Sequence, residues 1–450
     1  MTVTYDPDHP AYYDEKDLRQ ELERVYDLCH GCRLCVGLCP SFPTMFDLID
    51  GHDGEVAAMT PAEQDRVVDE CYQCKLCYVK CPYTPPHEWQ LDFPRLMLRA
   101  AAARPKTLKE KLTTQALSRT DQTGRLGSAV APLANAAIGR PGSPARRLMD
   151  RVVGIASERV LPPYARVRFT SWFKKRGAGR LGRPEQARVA VFPTCMVEYQ
   201  NPAIGQDLVK VYEHNGVSCE LAEASGCCGA PWLHGGDFDS FKKQAARNVA
   251  RLAAVVRSGR DIVVAQPTCG YVLKRDYPEY LKTPDAELVG SHTYDAAEYL
   301  WRLHKGEGTE LDTDFTGDVP ATTAYHVPCH LQAQNIGLRS RDLMKLTGTK
   351  VSVIQKCSGI DGMWGLRSEN YELSRKVARP LKTAVESSGA EVIAGDCHLA
   401  NGAIVQETGV VPVHPLQFLA RAYGIPPEPA GSTPSPAGGA AVWDEPGGSR

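Results

Sequence analysis

Twice within its first ninety residues the chain spells Cys-x-x-Cys-x-x-Cys-x-x-x-Cys-Pro: Cys29, Cys32, Cys35, Cys39 and Pro40, then Cys71, Cys74, Cys77, Cys81 and Pro82. A two-residue gap winds successive thiolates around one metal site, and the three-residue step before proline throws the fourth towards a neighbouring site. The crossed pairing that follows assigns Cys29, Cys32, Cys35 and Cys81 to one cluster, and Cys39, Cys71, Cys74 and Cys77 to another. Two cubane [4Fe–4S] clusters are expected, in a protein that moves electrons. Zinc, the alternative, usually takes paired Cys-x-x-Cys knuckles without a proline-terminated third step.

Between the two runs lie 31 residues, more than small bacterial ferredoxins use. The intervening stretches MFDLIDG and TPAEQDRVVDECYQC read as helices, with Thr60 as N-cap, Pro61 at the first helical position and Glu63 at the third. An α-helical ferredoxin-type domain over 1–103 is therefore expected, opened by an acidic helical lead-in and closed by a Pro-rich turn and a helix.

At 450 residues the chain exceeds a single core. Its net charge of −1 speaks against a general nucleic-acid binder. The near-zero total hides an asymmetry: residues 104–183 carry eighteen Lys/Arg against four acids, a net +14. Residues 104–185 are read as a basic linker or helical connector. Its segment 165–183 holds seven basic residues, no acid, and Phe169, Trp172 and Phe173 interleaved. That composition suits a peripheral membrane or quinone contact, or an acidic partner; the plainer alternative is a solvated linker with a tucked aromatic cluster. Gly177, Gly179 and Gly182 formally match GxGxxG, but no apolar strand precedes them, so no dinucleotide fingerprint is assigned. The stretch 426–450 is low-complexity and expected to be disordered.

Residues 188–425 repeat. Strand RVAVFPT leads into Cys195 and TTAYHVP into Cys329; Cys227-Cys228-Gly229 is matched by Cys357-Ser358-Gly359; DIVVAQPT delivers Cys269 and EVIAGD delivers Cys397. The offsets of 134, 130 and 128 residues mark a duplication. Two α/β modules follow, at 186–318 and 319–425, with cysteines where strands end, the place where open α/β sheets gather ligands. Gly229 after the cysteine pair permits positive φ or close backbone approach. Cys195, Cys227, Cys228 and Cys269 are expected to bind a metal or act in redox, a third iron–sulfur cluster being the natural occupant. Cys329, Cys357 and Cys397 are three thiols only; His326, His330, His398 and Asp361 are near enough in sequence to complete a site. His87 and His234, and Trp89, Trp232 and Trp364, are read as structural or shielding residues.

Twin four-cysteine runs followed by duplicated CCG-type modules resemble the heterodisulfide-reductase-related, CCG-domain iron–sulfur proteins. That family includes the C subunit of anaerobic glycerol-3-phosphate dehydrogenase and the iron–sulfur subunit of glycolate oxidase. The resemblance covers roughly residues 20–425 and implies an α+β multidomain protein with a helical ferredoxin-type 2×[4Fe–4S] domain before two CCG modules. It implies an electron-transfer subunit, with neither a flavin nor a nicotinamide site of its own. Such a subunit works between a partner flavoprotein dehydrogenase, of glycerol-3-phosphate or 2-hydroxyacid type, and a quinone or other acceptor. The segments 81–89 and 357–365 are similar to a subgroup associated with rubrerythrin-like redox proteins. The full module ends in Cys-x-x-Cys; here Val272 and Ala400 hold the last positions and Ser358 replaces a paired cysteine. Heterodisulfide cleavage of the methanogen kind, which uses two full noncubane sites, is therefore not expected. A thiol–disulfide reductase built on Cys227 and Cys228 is the competing function. With no basic, apolar leader and no apolar run of spanning length, the expected location is cytoplasmic, peripheral to the inner membrane face at most.

Overall fold

The computed structural model describes residues 2–177, 179–222, 226–306 and 308–428. Most of the expected disordered tail, from 429 on, lies outside the described residues.

The N-terminal part is helical. α1 (Glu15–Cys32) starts at Asp14, whose carboxylate accepts the Asp17 N–H at 2.8 Å. Leu18, Leu22, Val25 and Tyr26 recur at helical spacing and are all buried. α2 (Ser41–Gly51) begins immediately after Pro40, earlier than the apolar pattern alone suggests. α3 (Pro61–Asp69) carries the expected capping box: the Thr60 hydroxyl accepts the Glu63 N–H at 3.3 Å, and Glu63 accepts the Thr60 N–H at 2.8 Å. It stops short of Cys71, which leaves the second cysteine run free to loop before α4 (Leu76–Lys80). α5 (Phe93–Ala103) closes the unit, its Phe93 stacked on Phe42 of α2 at 4.6 Å.

The basic connector folds into four short helices, α6 (Leu108–Ser118), α7 (Thr120–Ala129), α8 (Ala131–Ile138) and α9 (Pro144–Val153). On them Leu108, Leu112, Leu126, Leu133, Leu148 and Val152 are each more than 50 % exposed. α10 (Phe169–Lys175) behaves in the opposite way. Phe169 is fully buried, Trp172 and Phe173 pack on the same core, and Arg176 pairs with Glu213 at 2.8 Å. The rings of segment 165–183 are thus tucked inward, with Lys174 and Lys175 left outside. A helix, not a strand, precedes Gly177, in keeping with the rejected dinucleotide fingerprint.

The first α/β module runs β1 (Ala187–Val191), α11 (Cys195–Tyr199), α12 (Pro202–His214), β2 (Val217–Leu221), α13 (Ala230–His234), α14 (Phe238–Arg257), β3 (Asp261–Val264), α15 (Pro267–Tyr271), α16 (Tyr277–Leu281), α17 (Pro284–Ser291), β4 (Thr293–Asp295) and α18 (Ala296–Lys305). The second runs β5 (Thr322–His326), α19 (Cys329–Ala333), α20 (Arg339–Leu346), β6 (Lys350–Ile354), α21 (Tyr371–Ser387), β7 (Val392–Gly395), α22 (His398–Thr408) and α23 (Pro415–Ala422). Both sheets are parallel, ordered β2-β1-β3-β4 and β6-β5-β7, and a parallel bridge from Ala394 to Val413 stands where β4 stands in the first. The sheets repeat as the cysteine spacing predicted. Central strand β1 is a continuous buried run, Val189, Ala190 and Val191, because helices cover both faces. In each sheet the winding reverses beside the first strand, which opens a crevice at the strand C-termini. Cys195 and Cys269 stand just past β1 and β3, and Cys329 and Cys397 just past β5 and β7.

Phe169→Ala removes a fully buried ring from the core beneath β1 and is expected to cost about 3–5 kcal/mol of stability. Denaturant unfolding followed by circular dichroism checks this; an unchanged midpoint would place the ring outside the core.

Candidate metal centres

The eight N-terminal thiols line two cavities, four to each. Cys29, Cys32, Cys35 and Cys81 ring an outer one with Leu28, Phe46 and Tyr83, and Cys39, Cys71, Cys74 and Cys77 ring an inner one with Leu38, Tyr72 and Phe93. This is the crossed grouping, each Cys-Pro thiol reaching over to the other run. The two spaces are both small, about 30 and 10 Å³, and Phe42 lines both. Left-handed backbone at Arg33, Gln73 and Lys75 (φ 52°, 58° and 64°) coils the loops. At Gln73 and Lys75 it helps aim N–H groups at sulfur, Gln73 at Cys71 and Leu76 at Cys74; Ser41 and Phe42 donate likewise to Cys39, and Tyr83 and Thr84 to Cys81.

The rings differ in depth. Cys32 is exposed, whereas Cys74 and Cys77 are buried. Burial, reinforced by neighbouring thiols, pushes Cys35 up to about 11 and Cys71 up to about 12. Four thiolates in such a place need compensating positive charge, which is what a metal cluster brings. Lys75 supplies some of its own: it is 5 % exposed and donates from Nζ to the Gln73 side-chain oxygen at 2.9 Å. Four sulfur donors per ring, backbone N–H groups on the sulfurs and apolar walls fit iron–sulfur clusters, whose thiolates want that environment.

In the first α/β module the four expected thiols meet. Cys195 opens α11, Cys227 and Cys228 precede α13, and Cys269 lies in α15. Side-chain hydrogen bonds link Cys195 to Cys227, Cys227 to Cys228 and Cys228 to Cys269. The bonds from Cys195 and Cys228 hold Cys227 well below the usual thiol range and push both partners up. Gly229, at φ 93°, turns its N–H onto the Cys227 sulfur at 3.5 Å, the conformation expected of it. Asp121 on α7 was not legible as part of this group. Its carboxylate accepts the Cys227 N–H at 2.7 Å across 106 residues of sequence. Asn248 and Tyr277 hold the carbonyls of Cys227 and Cys228 at 3.0 and 2.8 Å.

The second module repeats the turn. Gly359, at φ 65°, donates to the Cys357 sulfur at 3.3 Å, and a Cβ there would stand 2.2 Å from the Ser374 carbonyl oxygen. Cys329, Cys357 and Cys397 lie together, and after burial the Asp361 carboxylate is among the causes that raise all three. Of the four side chains considered for completing this group, Asp361 acts on all three thiols, and His330 Nδ1 lies 4.0 Å from the Cys329 sulfur. His330 donates from Nε2 to the Gln73 carbonyl at 3.1 Å, and its Nδ1 is shared between the Cys329 sulfur and the Thr268 hydroxyl, which donates to it at 3.0 Å; burial drives it down to about 3, so it is neutral. His326 Nε2 is occupied by the Lys356 carbonyl at 2.9 Å, and His398 faces a different cavity.

The second module's thiols abut the inner ring. The Tyr72 hydroxyl, one residue past Cys71, lies 3.1 Å from the Cys357 sulfur, and Cys74 packs with Cys329 and Cys357. Trp364 leans on Tyr72 at 5.0 Å and donates from Nε1 to the Asp69 carbonyl at 2.7 Å. Trp89 and Trp232 pack on cores, and His87 packs between Tyr83 and Trp89, as read from the sequence. Cys219, on β2, stands apart from every group, its thiol 3.7 Å from the Val217 carbonyl. Among the described residues no three His, Cys, Asp or Glu side chains close to the spacing of a single metal ion.

Asp121→Ala leaves the buried Cys227 N–H unpaired and is expected to lower stability by about 1–3 kcal/mol, while Asp121→Asn keeps an acceptor and loses less. Parallel denaturant titrations of the two variants under anaerobic conditions measure the difference; equal losses would remove the hydrogen bond as its cause.

Residues 22–107 match the "Citrate utilization protein B Fer4-like domain" family, and residues 189–274 and 323–400 match the "Cysteine-rich domain" family, CCG. The chain is 32% identical over 330 residues to the C subunit of anaerobic glycerol-3-phosphate dehydrogenase from Escherichia coli, covering 72% of this chain and 81% of that one. It is 24% identical over 225 residues to lactate utilization protein A of Bacillus pumilus, which is 47% of this chain and 87% of that protein. The B subunit of fumarate reductase (CoM/CoB) from Methanothermobacter marburgensis matches at 25% over 223 residues, 48% of this chain and 41% of the relative. Thiol rings at the N-terminus, paired cysteine-rich modules and these relatives agree: the chain belongs to the CCG-domain iron–sulfur protein family that includes the C subunit of anaerobic glycerol-3-phosphate dehydrogenase.

Proposed function

We propose that this chain is the iron–sulfur subunit of an oxidoreductase complex. It takes electrons from a partner flavoprotein dehydrogenase, of glycerol-3-phosphate or 2-hydroxyacid type, and delivers them to a quinone. Iron–sulfur clusters, when bound, supply one-electron steps. The chain's residues order the path. Cys29, Cys32, Cys35 and Cys81 hold the outer, accessible site, beside which Leu34 and Val36 are exposed for a partner. Cys39, Cys71, Cys74 and Cys77 hold the inner site, which Phe42 separates from the outer one. Cys195, Cys227, Cys228 and Cys269 hold a third site. Lys75 favours negative charge at the inner ring. The observation that carries this reading is the gathering of the N-terminal thiols four to a cavity, with four more linked in the first CCG module.

Anaerobic reconstitution with iron and sulfide quantitation tests it. About twelve irons per chain are expected, four for each of three sites, and about eight would limit the clusters to the N-terminal rings. Cys228→Ser should lower the count, whereas Cys219→Ala should not. Full iron in Cys228→Ser together with lost thiol turnover would favour the reductase reading instead.

Among the described residues no helix is long and apolar enough to cross a membrane. With the rings of 165–183 tucked in, a peripheral membrane contact fits better on α6–α9. There, exposed leucines share a surface with Lys109, Lys111, Arg125, Arg147 and Arg151. Vesicle co-sedimentation on anionic lipid should be strong for the natural chain and weak for Leu133→Glu/Leu148→Glu. Equal pelleting of the two would remove this face from the contact.

A further inference from the structure

A cavity of about 570 Å³, within the range of small-molecule sites, lies between the two CCG modules. One wall is the α11–α12 corner, with Gln200, Asn201, Ile204 and Asp207; the opposite wall is α22, from His398 to Val405. Pro162 and Pro163, in the connector after α9, border it. It lies near the cysteines of both modules along the chain: the corner closes the short helix that Cys195 opens, and His398 follows Cys397.

Its walls are mainly hydrocarbon, with a few polar atoms out of place. His398 Nε2, Gln200 Oε1 and Asn201 Oδ1 are buried with no hydrogen-bond partner. Asp207 is 8 % exposed, and among the described residues its carboxyl makes no hydrogen bond or ion pair. The charged groups around Asp207 are Lys210, Arg421 and Glu428, of which Lys210 and Glu428 pair at 2.7 Å. Burial raises Asp207 to about 7, so it exchanges a proton near neutral pH.

We propose that this cavity binds a quinone ring, with the His398 and Gln200/Asn201 side chains hydrogen-bonding its oxygens and Asp207 as proton donor. A terminal amide can turn over to offer N–H to a quinone carbonyl or oxygen to a quinol hydroxyl, so the same side chains suit both redox forms. The chemistry balances as quinone plus two electrons plus two protons giving quinol. The electrons come from the reduced dehydrogenase through the relay. One proton leaves the Asp207 carboxyl as a quinol O–H forms; solvent supplies the second and reprotonates Asp207. The inference rests on the relay reading above.

The test uses the full, iron-loaded chain and 2,3-dimethyl-1,4-naphthoquinone, which cannot alkylate thiols. Equilibrium dialysis should find one quinone per chain. Gly402→Leu should bind at least tenfold more weakly: Gly402 lines the cavity on α22, and nothing lies within 4 Å of a Cβ added there. Iron content and circular dichroism control for folding. Asp207→Asn should still bind, but quinol formation by the pre-reduced protein should fall about tenfold at pH 7 and lose its decline from pH 6 to 8. No saturable binding, or natural affinity in Gly402→Leu, overturns the site; natural quinol formation in Asp207→Asn overturns its role. Re-oxidation of the natural protein by ferricyanide reads the relay separately. Prompt re-oxidation without quinone binding sinks this site alone, and failure of both sinks the relay reading with it.

Discussion

Gathering four thiols in an apolar interior is electrostatically adverse, and much of the architecture answers that demand. Burial raises nearly every candidate thiol, so thiolates persist there only beside compensating positive charge or N–H dipoles. The loops meet the demand locally, through left-handed turns at Gln73 and Lys75 that bring N–H groups to sulfur, and through a buried lysine. In the α/β modules the same need is met by helix starts: Cys195 and Cys329 are first residues of helices, and Cys397 caps one. Gly229 and Gly359 repeat one solution twice, each donating to the cysteine two positions earlier.

The same demand explains how the parts are joined. α19, which Cys329 opens, packs against both α4 and α15, the helices of Cys77 and Cys269. His330, the next residue, ties the three with two hydrogen bonds, to the Gln73 carbonyl and the Thr268 hydroxyl. Burial keeps the imidazole neutral, so the Thr268 hydroxyl donates to Nδ1 while Nε2 donates to the Gln73 carbonyl. The three thiol-bearing segments are thus braced by a single uncharged side chain rather than by ion pairs, which suits a region that already holds many sulfurs.

What was legible in the sequence was whatever local spacing encodes. The grouping of the thiols, the capping box at Thr60 and the duplication offsets all reside in sequence spacing; the structure lines two cavities with those thiols, forms the box and repeats the parallel sheet. Strands β2, β4 and β6 did not stand out, since VSCEL and KVSVI alternate polar residues and β4 has only three. The exposed leucines of α6–α9 were hidden because exposure is a property of the packed state. Segment 165–183 shows the converse: its charge pattern suggested a surface, and packing turned its rings inward. Asp121 carries no motif at all, because a single side chain reaching across 106 residues leaves no periodic trace.

The two modules are unequal, and the inequality has an electrostatic sense. The first keeps four thiols in one hydrogen-bonded chain; the second keeps three, with Asp361 turned towards them. Asp361 also raises Cys71 and Cys74 of the inner ring, so a fixed negative charge stands between that ring and the second module. Lys75, buried on the ring's own loop, acts in the opposite sense. Added negative charge is therefore favoured on the Lys75 side and opposed on the Asp361 side.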